Sequence, residues 1–476
     1  MNKMSVIPAI MLLLGSASFG ASAPANSATK NVASATATGT THFVASVPAT
    51  GSTRLAEAAP AVASTIVSES AVDPATVPKT PAKRGVRLIP IANADLRAGW
   101  TTVKNGKGAR GLTGSAMALP AIQLPGKGGI ILPIYAFSGS VSDRVVEESI
   151  LFSSRQTHML SLGYKNTITG NWEGKISGDG AWAITKETFS EKFGKGLYDY
   201  RDLGGRASVA WKPKREGKEE PVTLGFRYFK RAYPNFKSLA SENQAFLMQV
   251  NPSAAAAIAD KEKHPKDFSG MEIDAGAERW LIETLKGSLG YTLALHPYAD
   301  RYLRSDQGLI TDKKRADAIH RVETRFDWLG LEKTDIWTSI DYLYFGSTGN
   351  NYDPSQPDYA YTPHFYQFSD LTWRVGGTYQ LPFGESLHPS VNTSLGAGLR
   401  NYSSRHAQDA NGVNLKPKQS ESTLSADLGV NWPINKWLGV VGGLGGEMVK
   451  SNNKFTRYLK YSYNLASVSL GLTAKY

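Results

Sequence analysis

The chain contains no cysteine. That absence removes disulfide frameworks, thiolate zinc fingers, thiol nucleophiles and lipid-anchored N-termini together, while leaving an oxidising compartment open, because a closed sheet needs no disulfides. Beyond the N-terminus there is no apolar run of about eighteen residues, so helical membrane spans are excluded; barrel strands of about ten residues are not. No repeat of the roughly 40 to 50 residues expected of a propeller blade is visible. Nothing matches an EF-hand loop, and Gly194-Lys195 lacks the spacing of a phosphate-binding loop.

What is present begins with Lys3, an apolar run over residues 6–14 and small residues through Ala23. This is the layout of a secretory signal peptide, with cleavage expected after Ala23 or Ala25. Residues 24–84 are nearly all Ala, Ser, Thr, Val and Pro, with Phe43 the sole aromatic. Such a stretch cannot bury enough surface to offset chain entropy, and it reads as a disordered periplasmic spacer or tether. The formal charge of +12 fits nucleic acid, anionic headgroups or an anionic solute. Dispersal of that charge over loops without a binding module argues against nucleic acid.

After Arg84 the apolar residues alternate with polar ones, period two, as in half-buried strands. Expected strands cover residues 95–103, 118–124, 130–138, 158–169, 172–186, 207–212, 222–228, 271–281, 285–296, 317–328, 336–344, 371–381, 391–402, 422–432 and 438–449. Pro120 and Pro133 weaken the early pair. Short connections alternate with long ones, the longest being residues 230–270. Trp172, Trp182, Trp211, Trp280, Trp328, Trp432 and Trp437 lie near strand ends, as interfacial girdles do.

The last strand is the clearest. Ala466, Val468, Leu470, Leu472, Ala474 and Tyr476 form an apolar face, with Ser467, Ser469, Gly471, Thr473 and Lys475 opposite. This tail resembles the closing strand of Gram-negative outer-membrane β-barrel proteins of the porin-like class. The resemblance implies an all-β, antiparallel, up-and-down transmembrane β-barrel over residues 85–476, with short periplasmic turns, long outer loops and an even strand count of about sixteen, within 14–18. It also implies partners: outer-membrane lipid, lipopolysaccharide, and the barrel-assembly machinery acting on the C-terminal strand.

A search for catalytic sets finds none. His42 falls in the low-complexity segment, and alternation sends His158 and Ser161 to opposite faces, likewise His296 and His320. His264, His364, His388 and His406 read as solvated loop or turn residues, and Asn350, Asn351, Asp353 and Asp358 form a loose polar cluster. The chain is therefore expected not to be an enzyme and to need no cofactor or metal. More informative are Arg321, Glu323, Arg325 and Asp327, which alternate in sign along one inward face, with Lys286 and Arg374 on others. They read either as a bracing salt-bridge ladder or as a charged constriction.

Lys192, Lys195, Arg301, Arg304, Lys313 and Lys314 read as outer-loop contacts for lipopolysaccharide phosphate or an anionic solute. In the longest loop, residues 239–250 and 254–259 have helical character, suiting a lid or an inward fold. The leading functional expectation is a passive, anion-preferring channel. The alternative is a non-conducting structural or surface-interaction barrel plugged by that loop or by residues 84–114.

Overall fold

Strand pairing closes on itself in the computed structural model. It describes residues 86–103, 108–125, 128–146, 149–186, 191–236, 253, 261–305, 309–352, 361–382, 388–455 and 462–476, all within one compact unit. The expected signal peptide, the 24–84 segment, the helical readings at 239–250 and 254–259, and Asp353 and Asp358 lie outside the described residues.

Sixteen wall strands run antiparallel in chain order: β1 (Ala92–Val103), β2 (Ala109–Ala118), β3 (Ile130–Val146), β4 (Ser149–Thr169), β5 (Trp172–Lys186), β6 (Tyr200–Trp211), β7 (Val222–Ala232), β8 (Phe268–Ile282), β9 (Leu285–Arg304), β10 (Ile310–Leu331), β11 (Thr334–Ser347), β12 (Phe368–Gln380), β13 (Ser390–Gln408), β14 (Asn414–Pro433), β15 (Leu438–Ser451) and β16 (Tyr463–Lys475). Each pairs with its sequence neighbours. β16 pairs with β15 on one side and with β1 on the other, from Asn93↔Lys475 to Val103↔Leu465, which closes the wall. Closure leaves no main-chain edge along the wall, a requirement in hydrocarbon.

Alternation assigns the two faces. Leu203, Leu470, Leu162 and Ile176 are among the most exposed side chains, a burial pattern inverted relative to a soluble protein and explained by lipid as the outer solvent. Trp172 stacks on Trp211 at 6.3 Å, and Trp437 on Tyr476 at 4.8 Å, where these strands meet their short turns. These pairs supply an aromatic girdle.

The expected strand at 118–124 is displaced. The second wall strand is Ala109–Ala118, and Ala121–Gln123 is a short continuation that pairs with Arg87–Ile89 and with the start of β3 in unbroken register. Between the two stretches the ladders are interrupted where Pro90, Pro120 and Pro133 line up across three strands, from the pairs Ile89↔Ala121 and Ala92↔Ala118 on one side and Ala118↔Tyr135 and Ile122↔Ile131 on the other. Proline lacks the N–H a ladder needs, so grouping the three residues concentrates the missing donors at one break. On both sides of this break the inward face is apolar. Met117, Leu119, Ala121, Leu132 and Ile134 form a buried cluster, with Ile89, Ile91 and Ile130 packed against it.

Candidate functional site: the charged lumen

The inward face of β5 to β12 carries charge at nearly every level, because period two returns alternate residues to the lumen. Nearest the short turns, Lys165 and Lys212 both hold Glu173, at 2.9 and 3.1 Å. Above them, Arg206 donates to Asp274 at 2.6 Å, and Arg227 to Asp179 at 2.6 Å and Glu272 at 3.4 Å. Lys286 reaches Glu278 at 2.7 Å. On β10, Arg321 pairs with Glu323 on its own strand and with Asp341 of β11 at 2.6 Å, while Arg325 pairs with Asp327 at 2.7 Å and lies over the Trp337 ring. Arg374 shares the inward face of β12, its stem beside Gly396.

Arg321, Glu323, Arg325 and Asp327 thus pair along one side of β10. They stay wet: the side chains of Arg321, Glu323 and Arg325 keep 41, 54 and 45% of their accessible surface. Pairs that exposed hold geometry more than they stabilise the fold.

The facing wall differs. Ser394, Gly396, Ser425, Gly443, Gly445, Ser467 and Ser469 present small groups inward, around a single carboxylate, Asp427, to which Ser394 donates at 3.2 Å. Asp95 and Arg97, paired at 2.8 Å, bring charge back on β1.

Toward the long loops the lumen acquires a belt of arginine and aromatic rings that the sequence reading missed. Arg231 donates twice to Asp202, at 2.6 and 2.7 Å, and lies 4.2 Å above the Tyr200 ring and 5.5 Å from Phe268. Arg315 makes a bidentate contact to Asp317, both bonds 2.8 Å; Asp317 also accepts from Ser347 Oγ at 2.6 Å and Tyr298 Oη at 3.2 Å. Arg400 donates to Asp370 at 2.7 Å over the Phe368 ring. His296 packs against Phe268 at 4.6 Å, between these pairs. Arg227, Phe229 and Arg231, and Arg315 with Asp317, continue the same two-residue rhythm as Arg321 to Asp327. Starting the expected strand at residue 317 cut that signal off.

The six basic residues expected in outer loops divide. Lys192 and Lys195 are exposed in the 191–199 connection and Lys313 is exposed, but Arg301, Arg304, Lys313 and Lys314 lie on β9 and β10, which run on beyond the expected strand ends. Arg304 is held by Glu262 through two 2.9 Å bonds. Burial pushes the Glu262 carboxyl up, against the pull of Arg304. Lys314 donates to the Ala299 carbonyl and lies 3.8 Å from Asp300. Arg301 lies 5.8 Å from the centres of two tyrosine rings, Tyr298 and Tyr366.

The histidines separate as alternation requires. His158 and His320 face outward, each hydrogen-bonded through Nδ1 to a tyrosine hydroxyl, Tyr135 at 3.0 Å and Tyr291 at 2.9 Å. Asn350 is tied to the main chain of Arg304.

Residues 193–199, leading into β6, form a loop built on Asp199. Its carboxylate accepts from Thr185 N at 2.7 Å and Gly196 N at 3.1 Å, and Asn235 closes it from the next connection. A Cβ on Gly196 would lie 1.9 Å from the Thr185 carbonyl oxygen. Gly196→Val is therefore expected to accelerate hydrogen exchange and proteolysis in residues 193–202 and 233–236 without unfolding the wall, measured by exchange mass spectrometry in micelles; unchanged protection there would contradict the fit.

The architecture is that of an outer-membrane β-barrel. Sixteen closed antiparallel strands with an apolar outside and a charged inside decide it. No family model matches the chain, and no curated protein matches it. Among solved structures, it is similar to OprB of Pseudomonas putida (11% identity, covering 83% of this chain and 94% of that one, TM-score 0.44). It is also similar to OccD3 (OpdP) of Pseudomonas aeruginosa (7%, covering 86 and 97%, TM-score 0.40) and to OmpT, an outer membrane protein of Vibrio cholerae (12%, covering 82 and 99%, TM-score 0.39). At these values the likeness is one of barrel type and carries nothing about solute or activity. The expectation that the chain is not an enzyme is withdrawn, because a barrel fold by itself does not decide between transport and catalysis.

Proposed function

We propose that the protein is a passive outer-membrane channel for small solutes, biased toward anions. One observation carries the reading: within a closed sixteen-strand wall, mid-lumen charged side chains retain about half their accessible surface. A packed core would have removed water from them, because an ionic group enters a dry interior only at high cost. The anion bias rests on the arginine belt at the long-loop end, where four arginines on the inward side, Arg231, Arg301, Arg400 and the buried Arg315, outnumber their partners Asp202, Asp317 and Asp370. Lys192, Lys195 and Lys313, exposed at the same end, suit lipopolysaccharide phosphates. The closing strand β16 is the segment offered to the barrel-assembly machinery, and the N-terminal segment belongs on the periplasmic side.

A second reading draws on the buried apolar cluster around Leu119, Leu132 and Ile134 on the inward face. Apolar packing at that end favours a lumen narrowed or filled there, and with it a structural barrel.

Ion selectivity tests the first reading. In a bilayer with a potassium chloride gradient the reversal potential is expected on the chloride side. Arg321→Glu with Arg325→Glu, which inverts fixed charge in the wet middle of the lumen, is expected to shift that potential toward potassium, about a several-fold change in the permeability ratio. A potential unmoved by the double change would mean that ions do not pass these side chains.

A further inference from the structure

Arg301 stands apart from the other lumen arginines. Arg231, Arg315 and Arg400 each have a carboxylate within 2.8 Å, whereas among the described residues Arg301 has none within ion-pair distance. Its guanidinium lies 5.8 Å from the centres of the Tyr298 and Tyr366 rings, and Arg315 lies over the same two rings at 4.9 and 4.5 Å. Two guanidiniums thus share one pair of aromatic faces, and the carboxylate between them, Asp317, is ion-paired with Arg315, as Glu262 is with Arg304. Asp317 is already saturated by Arg315, Ser347 and Tyr298.

The backbone builds this arrangement on purpose-shaped geometry. The β9–β10 register jumps between Pro297↔Ala316 and Tyr302↔Lys314, five residues on β9 against two on β10. This bulge puts Tyr298 and Arg301, three positions apart, against the same partners, where a regular strand would send them to opposite faces. Tyrosine faces attract a cation without neutralising it. A half-buried positive charge beside a second one is stabilised by an added anion, and arginine's planar fork matches an oxyanion.

We propose that Arg301, seated with Arg315 between Tyr298 and Tyr366, is an oxyanion-binding site for phosphate-bearing solutes at the long-loop end of the lumen. Arg315 lies on the same inward side of β10 as Arg321, so a ligand reaching Arg301 is a dissolved phosphate and not a membrane lipid's headgroup. This deepens the channel reading by naming a solute class, and it is tested without requiring current to flow.

Pyrophosphate is titrated by calorimetry into the full chain refolded in lipopolysaccharide-free detergent, with heat-modifiable gel migration confirming the barrel. Saturable one-site binding is expected. Arg301→Gln is expected to weaken it about tenfold or more, as loss of a charge-assisted bond does. Arg301→Lys, which keeps the charge and loses the fork, should fall between, and Lys313→Gln should leave it unchanged. Lipopolysaccharide co-sedimentation is expected to be equal for wild type and Arg301→Gln. Absent binding, equal affinity in a folded Arg301→Gln barrel, an equal loss in Lys313→Gln, or loss confined to the lipopolysaccharide assay would each overturn the site. A chain that binds pyrophosphate and passes no current keeps this site and loses the channel; one that conducts and does not bind keeps the channel alone.

Discussion

Asp317→Ala is expected to destabilise the barrel by about 3 to 5 kcal/mol, the range for breaking a buried ion pair from one side. Asp317 is 3% exposed and Arg315 is 6% exposed. Truncation leaves the Arg315 guanidinium buried without its carboxylate and removes the acceptor for the Ser347 and Tyr298 hydroxyls. The penalty exceeds the net worth of the pair because unpaired buried charge is what costs. Asp317→Asn, which retains an acceptor oxygen, should cost less than half as much. Urea unfolding in micelles reads both, and a loss below about 1 kcal/mol for Asp317→Ala would place water against Arg315 and empty the account of this belt as a packed structure.

Gly471→Val is expected to have the larger effect on yield. Gly471 lies on β16 where it seals against β1, opposite Arg97. A Cβ there would sit 2.2 Å from the Leu96 carbonyl oxygen and 2.7 Å from Arg97 Cγ. The first of these is backbone and cannot rotate away, so the seam must part or the strand must shift; overpacking alone costs about 1 to 3 kcal/mol, and this site joins the two ends of the wall. Refolding into micelles should give mostly unclosed protein, seen as loss of the heat-modifiable band. Gly178→Ala is the control, since its nearest neighbour would be 4.0 Å away. Equal refolding of Gly471→Val and wild type would mean that the β1–β16 seam is not as tight as described.

The wall was legible in the sequence where lipid lies against it. Leu470 and Val468, or Leu160 and Leu162, contrast with serine and glycine between them because one side meets hydrocarbon and the other water. Where both sides meet water the contrast disappears. β6 was expected only from residue 207 and begins at Tyr200, and β9 was expected to end at 296 and runs to Arg304. β2 was missed for a related reason: Gly111, Thr113 and Ser115 alternate with Leu112, Gly114 and Ala116, too small a difference to register. Pro120 falls where the ladder between the first strands is interrupted, whereas Pro133 lies inside the continuous β3, and the alignment of both with Pro90 is a property of register, which a one-dimensional pattern does not carry.

The lumen was legible in part. The Arg321 to Asp327 ladder follows from alternation along one strand and needs no partner strand to be seen. The arginine and aromatic belt joins residues from β6 to β13 and the 361–367 connection, with sequence separations set by loops, so its members were visible individually and not as a set. Arg301 is the sharpest case. It reads as one more loop cation, and only the bulge after Pro297 places it between Tyr298 and Tyr366.

Single-channel recording on purified full-length protein in a planar bilayer tests the central claim most directly. A water-filled lumen through sixteen strands predicts discrete conductance steps that rise in proportion to salt concentration. No steps at any voltage or salt, from protein shown by heat-modifiable migration to be a closed barrel, would contradict it.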